Sequence, residues 1–134
     1  MAGFSTALDG EAGDELTALY LENAFKDVAE LERLQAEAAR DPGGWSEYCD
    51  QMRNIVHNIK GQGTSFGYPL MTRVGESCST LLKAIEQPDA ATLKLLAAHV
   101  QTLRTVLDKD IKGTGGELGE TLSSRLEALV TKLT

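Results

Sequence analysis

An all-α protein is predicted, an antiparallel up-and-down four-helix bundle with an additional packed helix. Three observations predict it. Leucine and alanine dominate the 134-residue chain and β-branched runs are absent, which favours helix over strand. Apolar residues recur at helical spacing in five separate stretches. Short turns rich in proline or glycine divide those stretches, and one-sided helices joined by short turns bury their apolar faces most economically against one another. The length suits one domain that buries about two-thirds of its unfolded surface, with residues 1–13 as a flexible N-terminus and 14–134 as the bundle.

The first helix is expected from Asp14 to about Ala39, where Leu16, Leu19, Tyr20, Ala24, Phe25, Val28, Leu31 and Leu34 mark a broad, drifting apolar face. Asp41-Pro42-Gly43-Gly44 breaks it. A second helix is expected from about Trp45 to Phe66, with Trp45, Tyr48, Cys49, Met52, Ile55, Val56, Ile59, Gly63 and Phe66 as its stripe. Gly67 suits a C-terminal cap and Pro69 the first position of a new helix. That third helix carries Leu70, Val74, Cys78, Leu81, Leu82 and Ile85, and stops at Gln87-Pro88-Asp89. A fourth runs from about Ala90 to Ile111, with Leu93, Leu96, Val100, Leu103 and Leu107 on one face. After the glycine-rich break 112–116, Leu118, Leu122, Leu126, Leu129, Val130 and Leu133 define the fifth.

Charge and cysteine usage narrow the function. A net charge of −7 and no clustered basic face exclude a surface that tracks nucleic acid. No apolar stretch approaches the roughly 18–20 residues of a membrane span, and no basic-then-apolar leader pattern opens the chain, so a cytoplasmic location is expected. Cys49 and Cys78 fall on or beside apolar stripes and read as buried reduced thiols. Without CxxC or histidines at ligand spacing, no metal or other cofactor is expected.

The chemistry concentrates in residues 57–67 of the second helix. Three glycines lie within seven residues there, at Gly61, Gly63 and Gly67. Each mid-helix glycine costs about 1 kcal/mol relative to alanine, so something must approach this backbone closely. At 100° per residue His57 lies roughly 145° from the middle of the apolar stripe and faces water. Arg53, Lys60, Gly61 and Thr64 share its side at offsets of three, four and seven. An imidazole titrates near pH 6.5 in water, so at neutral pH a solvated histidine offers a nitrogen lone pair as nucleophile. A flanking ammonium is suited to phosphoryl oxygens.

The pattern His57-x-x-Lys60-Gly61, with Gly67 six residues further, resembles the signature of histidine-containing phosphotransfer (HPt) domains. Those are helical bundles that relay phosphoryl groups between kinases and receiver-domain aspartates. The motif spans eleven residues, and the rest of the chain agrees with the family at the level of helix count. The resemblance implies that His57 accepts the phosphoryl group, on Nε2 in the family, and that Lys60 stabilises it. A sensor histidine kinase and a response-regulator receiver are the implied partners. The carrier itself would have no nucleotide site and would not be an enzyme alone.

Gly61 reads as the place where a receiver aspartate approaches, Arg53 and Thr64 as neighbours on the docking face, and Gly63 as close helix packing. If the second and third helices pivot about Tyr68, Ser79 comes level with His57, with Glu76 and Lys83 one turn either side. Many HPt domains carry Gln or Glu at that place to orient the imidazole. Ser79 is a departure, which leaves the orienting role open to Glu76, to water or to nothing. His99, with no glycine beside it, reads as a partly buried structural histidine. Two rival readings are the phosphoacceptor domain of a chemotaxis-type kinase and a helical adaptor that binds a receiver or kinase without phosphotransfer.

Overall fold

A computed structural model of the chain describes residues 11–134. Five α-helices and two short 3₁₀ turns make up the described part, and no strand occurs among those residues. Helix α1 spans Glu11–Arg40, α2 Trp45–Gln62, α3 Pro69–Ala84, α4 Ala90–Asp108 and α5 Gly116–Leu133. The expected flexible segment 1–13 lies outside the described residues as far as residue 10, and residues 11–13 are already helical.

The turns follow from local chemistry. The α-helical part of α2 stops at Gln62, earlier than its apolar stripe suggests, and Thr64–Phe66 continue as a 3₁₀ turn. Gly67 then takes φ +90°, a left-handed conformation that costs glycine little, and Pro69 opens α3. Asp89 begins α4 through a reciprocal cap with Thr92, whose amide donates to Asp89 Oδ1 at 2.8 Å. Such a cap stabilises a helix by about 1 kcal/mol.

The first four helices close a ring of contacts: α1 with α2, α2 with α3, α3 with α4 and α4 with α1. Helix α5 lies outside that ring, mainly on α3 and more lightly on α4. Trp45 Nε1 donates to the Ile85 carbonyl at 3.1 Å and the Thr64 amide donates to Thr72 Oγ1 at 2.9 Å. Each end of α2 is thereby tied to the opposite end of α3, so the two run antiparallel. The shared core includes Val28, Leu31, Met52, Ile59, Met71, Leu81, Leu96 and Leu103, all but completely shielded. Burying a side chain of this size stabilises the fold by about 1.5–3 kcal/mol.

Two arginines clamp helices from outside. Arg104 on α4 bonds Glu32 of α1 at 2.6 Å, while Arg73 on α3 bonds Glu127 and Glu120 of α5 at 2.9 and 2.5 Å. Both arginines are thus engaged in structure. Cys49 and Cys78 are free and buried, as their stripe positions suggest, and burial pushes the Cys78 thiol up to about 12.

The apolar faces of α1 and α5 depart from expectation. Leu16 and Leu19 are exposed, and on α5 so are Leu118, Leu122, Leu129 and Leu133. Only Gly119, Ser123, Leu126 and Val130 of α5 are buried. An outer helix has neighbours on one side alone, and the leucines of α5 spread round more of the helix than that side covers.

Candidate functional site

The exposed face of α2 carries Asp50, Arg53, Asn54, His57, Lys60 and Gly61 at spacings of three, four and seven, so the six residues form one strip along the helix. Across from it α3 places Gly75, Ser79 and Lys83 in a row of four-residue steps. Between the two helices lies a groove of about 450 Å³, lined by Asp50, Arg53, Asn54, His57, Lys60, Ser79 and Lys83. His57 is exposed within it, and Ser79 is almost completely shielded at its wall.

Three cations and one carboxylate line this groove. Five other basic side chains, Lys26, Arg33, Arg40, Arg73 and Arg104, are bound to carboxylates. Among the described residues, Arg53, Lys60 and Lys83 enter no ion pair. They are therefore available to an anion, and His57 sits among them.

The glycines sort by what surrounds them. A Cβ added at Gly61 would meet no atom within 4 Å, so the space beside His57 is open. At Gly63 the added carbon would sit 2.8 Å from the Tyr68 carbonyl oxygen and 2.9 Å from Met71 Cβ, the close packing expected of it. Gly75 contributes something that periodicity missed. Its Cβ would lie 3.0 Å from Lys60 Cβ and 3.4 Å from Lys60 Cα, so the bare α3 backbone presses on the root of Lys60. That contact seats the base of the lysine stem against α3, and the residue lines the groove. A glycine interrupting the regular pattern of α3, one turn before Ser79, was the available signal.

Not every candidate arrives at the groove. Thr64 stands in the 3₁₀ turn, where its amide and hydroxyl both donate to Thr72 Oγ1, so it secures the turn and does not line the groove. Glu76, one of the candidates for orienting the imidazole, lines a separate hollow with Glu127 of α5. Ser79 is the α3 hydroxyl that shares the groove with His57. Asp50 and Asn54 line it too, although sequence reading passed over them; their offsets of seven and three from His57 were the signal.

His99 is buried more completely than expected, with no exposed surface. Its Nδ1 lies 2.8 Å from the Leu95 carbonyl, which can only accept, so Nδ1 carries the proton. Nε2 is left to accept from the Ser77 hydroxyl at 2.8 Å. Both nitrogens are thus used, away from solvent. Burial lowers the His99 pKa, with the Leu95 hydrogen bond opposing in part.

A pH dependence of stability follows. The unfolded histidine takes up a proton near pH 6.5 while the folded one resists it. The contribution of neutral His99 is complete above that pH and is lost as pH falls toward the lower folded value. Thermal midpoints between pH 7.5 and 5 are expected to drop more steeply for the wild-type chain than for His99→Gln. Parallel curves would show that His99 does not govern this window. The carboxylates of Glu120 and Glu127, held below their ordinary range by hydrogen bonds from Arg73, act at lower pH.

Among the described residues, no cluster of three or more His, Cys, Asp or Glu is placed to hold a metal ion, and no helix is long and apolar enough to cross a membrane. Comparison with protein-family models, curated proteins and solved structures finds no match for this chain.

Proposed function

We propose that this protein is a phosphoryl carrier of a two-component phosphorelay, accepting a phosphoryl group on His57 from a sensor kinase or receiver aspartate and passing it to a response-regulator receiver. The observation that carries the reading is an exposed imidazole in a groove with three otherwise unengaged cations, Arg53, Lys60 and Lys83. The resemblance around His57, Lys60 and Gly61 supports it independently. In this reading the closed ring of α1–α4 is an antiparallel up-and-down four-helix bundle with α5 as the additional helix, and the protein works in the cytoplasm.

The chemistry balances as a reversible exchange. The lone pair of Nε2, the family's reacting nitrogen, attacks phosphorus of an aspartyl phosphate. A P–N bond forms as the P–O bond breaks, and the aspartate leaves as carboxylate. Nδ1 keeps its proton, which the groove must orient. Lys60 from α2 and Lys83 from α3 line the same groove and offset charge on the phosphoryl oxygens, with Arg53 one turn from His57. Catalytic magnesium and any nucleotide belong to the partner protein, so the carrier is not an enzyme alone.

Incubating the full chain with a phosphorylated receiver or kinase tests this reading, with an acid-labile, base-stable label expected on the wild type. Lys60→Ala and Lys83→Ala should each slow transfer without abolishing it. Removing a partner from a closed phosphoryl site costs on the order of 2–4 kcal/mol. This groove is open to solvent, so about tenfold, equivalent to roughly 1.4 kcal/mol, is the expected loss. An unchanged rate in either variant demotes that lysine to a solvated surface charge.

A further inference from the structure

Two surfaces outside the His57 groove are left uncovered among the described residues and are complementary. Helix α1 has 30 residues where the other four have 16–19, and its first buried side chain among the described residues is Tyr20. The turns before Tyr20 therefore overhang the core. They carry Leu16 and Leu19, 46% and 53% exposed, beside the exposed carboxylates of Asp14 and Glu15. The second surface is a hollow of about 430 Å³ between α4 and α5. Ala91, Leu95 and Ala98 line it from α4, Leu129 and Leu133 from α5, together with the exposed ammonium groups of Lys94 and Lys132. Neither lysine enters an ion pair among the described residues.

The overhang does not reach the hollow of its own chain. Tyr20 stacks on Phe66 and Tyr68 at 4.8 and 5.9 Å, and the Tyr68 hydroxyl donates to Asp110 at 2.5 Å, just past the end of α4. The overhang thus leaves the molecule where α4 finishes, whereas the hollow lies where α4 begins. From Ala98 to Asp108 alone the helix rises about 15 Å. The bond from Arg104 to Glu32 fixes the direction of α1, so the residues before Tyr20 run away from the hollow.

We propose that the α1 overhang of one copy docks into the α4–α5 hollow of a second copy, so that the chain self-associates. Two leucines beside two carboxylates meet two leucines beside two ammonium groups. A chain of net charge −7 repels its own kind, and this opposite-charge match supplies the local attraction that overcomes it. Two copies lying antiparallel bring each overhang to the other's hollow. The assembly then closes on two equivalent contacts, the commonest form of oligomer.

Sedimentation of the full chain across a concentration series tests the proposal. The mass is expected to rise from 14.4 kDa toward twice that value, and to do so less in high salt. Leu16→Ser/Leu19→Ser and Leu129→Ser/Leu133→Ser should each weaken association by about tenfold or more. Their helical circular dichroism should persist, because all four side chains are already exposed. A heterodimer of the two variants keeps one contact between an intact hollow and an intact overhang, whereas either variant alone has both contacts damaged. The mixture should therefore associate more than either variant alone, yet less than the wild type. If Leu129→Ser/Leu133→Ser loses helix, Lys94→Glu/Lys132→Glu takes its place in both arms. A wild type that stays monomeric up to about 1 mM assigns the hollow to a different protein and overturns the proposal. So does association unchanged in Leu16→Ser/Leu19→Ser, or a mixture that associates no more than either variant alone.

Discussion

His57→Gln is expected to accept no phosphoryl group from a partner that labels the wild-type chain, while its helical circular dichroism stays at the wild-type value. Glutamine offers no nucleophilic lone pair of comparable strength, so the loss should be complete. The fold should hold because His57 is exposed and enters no hydrogen bond among the described residues, and surface changes of that kind shift stability by about 0.5 kcal/mol or less. His99→Gln is the matched control. It removes a buried, doubly hydrogen-bonded imidazole, so it should lower stability yet leave acceptance in place. Label on His57→Gln at the wild-type level ends the phosphocarrier reading. Loss of label in a folded His99→Gln protein transfers the site to the interior.

The same substitution made two residues apart should have opposite signs. Gly63→Ala drives a methyl group to 2.8 Å from the Tyr68 carbonyl oxygen and 2.9 Å from Met71 Cβ, in a buried turn whose backbone is itself hydrogen-bonded. Overpacking of this kind costs about 1–3 kcal/mol, and the Gly63 φ of −54° offers no offsetting backbone strain to relieve. Gly61→Ala meets open space and replaces a poor helix former, so it should stabilise by up to about 1 kcal/mol. Thermal melts on the two proteins check the pair. Phosphotransfer then separates packing from docking at Gly61. Gly61→Gln should fold normally but transfer slowly, because its side chain stands where a partner aspartate must approach. Normal transfer in that variant would mean no partner comes so close, and an unfolded protein would mean Gly61 is needed for packing after all.

The groove was legible on α2 and only half legible on α3. Arg53, His57, Lys60 and Gly61 share a helix, and 100° per residue suffices to place them on one face. Ser79 and Lys83 required a pivot to be located, and Tyr68 serves as one because Gly67 and Pro69 make the turn tight. Thr64 was placed on the same face by carrying the helix on to Phe66; α2 ends at Gln62 and the 3₁₀ turn gives its hydroxyl to Thr72. Gly75 was passed over because its role is visible only from the neighbouring helix, where it lies against Lys60.

By itself the sequence determined which stretches are helical, where proline and glycine end them, and which side of α2 turns His57 to solvent. These are local matters, decided by a repeat of 3.6 residues and by backbone preferences at single positions. Tertiary structure decided which faces are covered and which charges are free. Arg73 and Arg104 look no different in sequence from Arg53, yet the first two are held by glutamates on other helices and the third lines the groove. The leucines of α5 read as one apolar helix, but an outer helix has a single neighbouring surface, and Leu129 and Leu133 fall outside it. Helical periodicity states which residues share a face; only the packing of the other helices states what, if anything, that face meets.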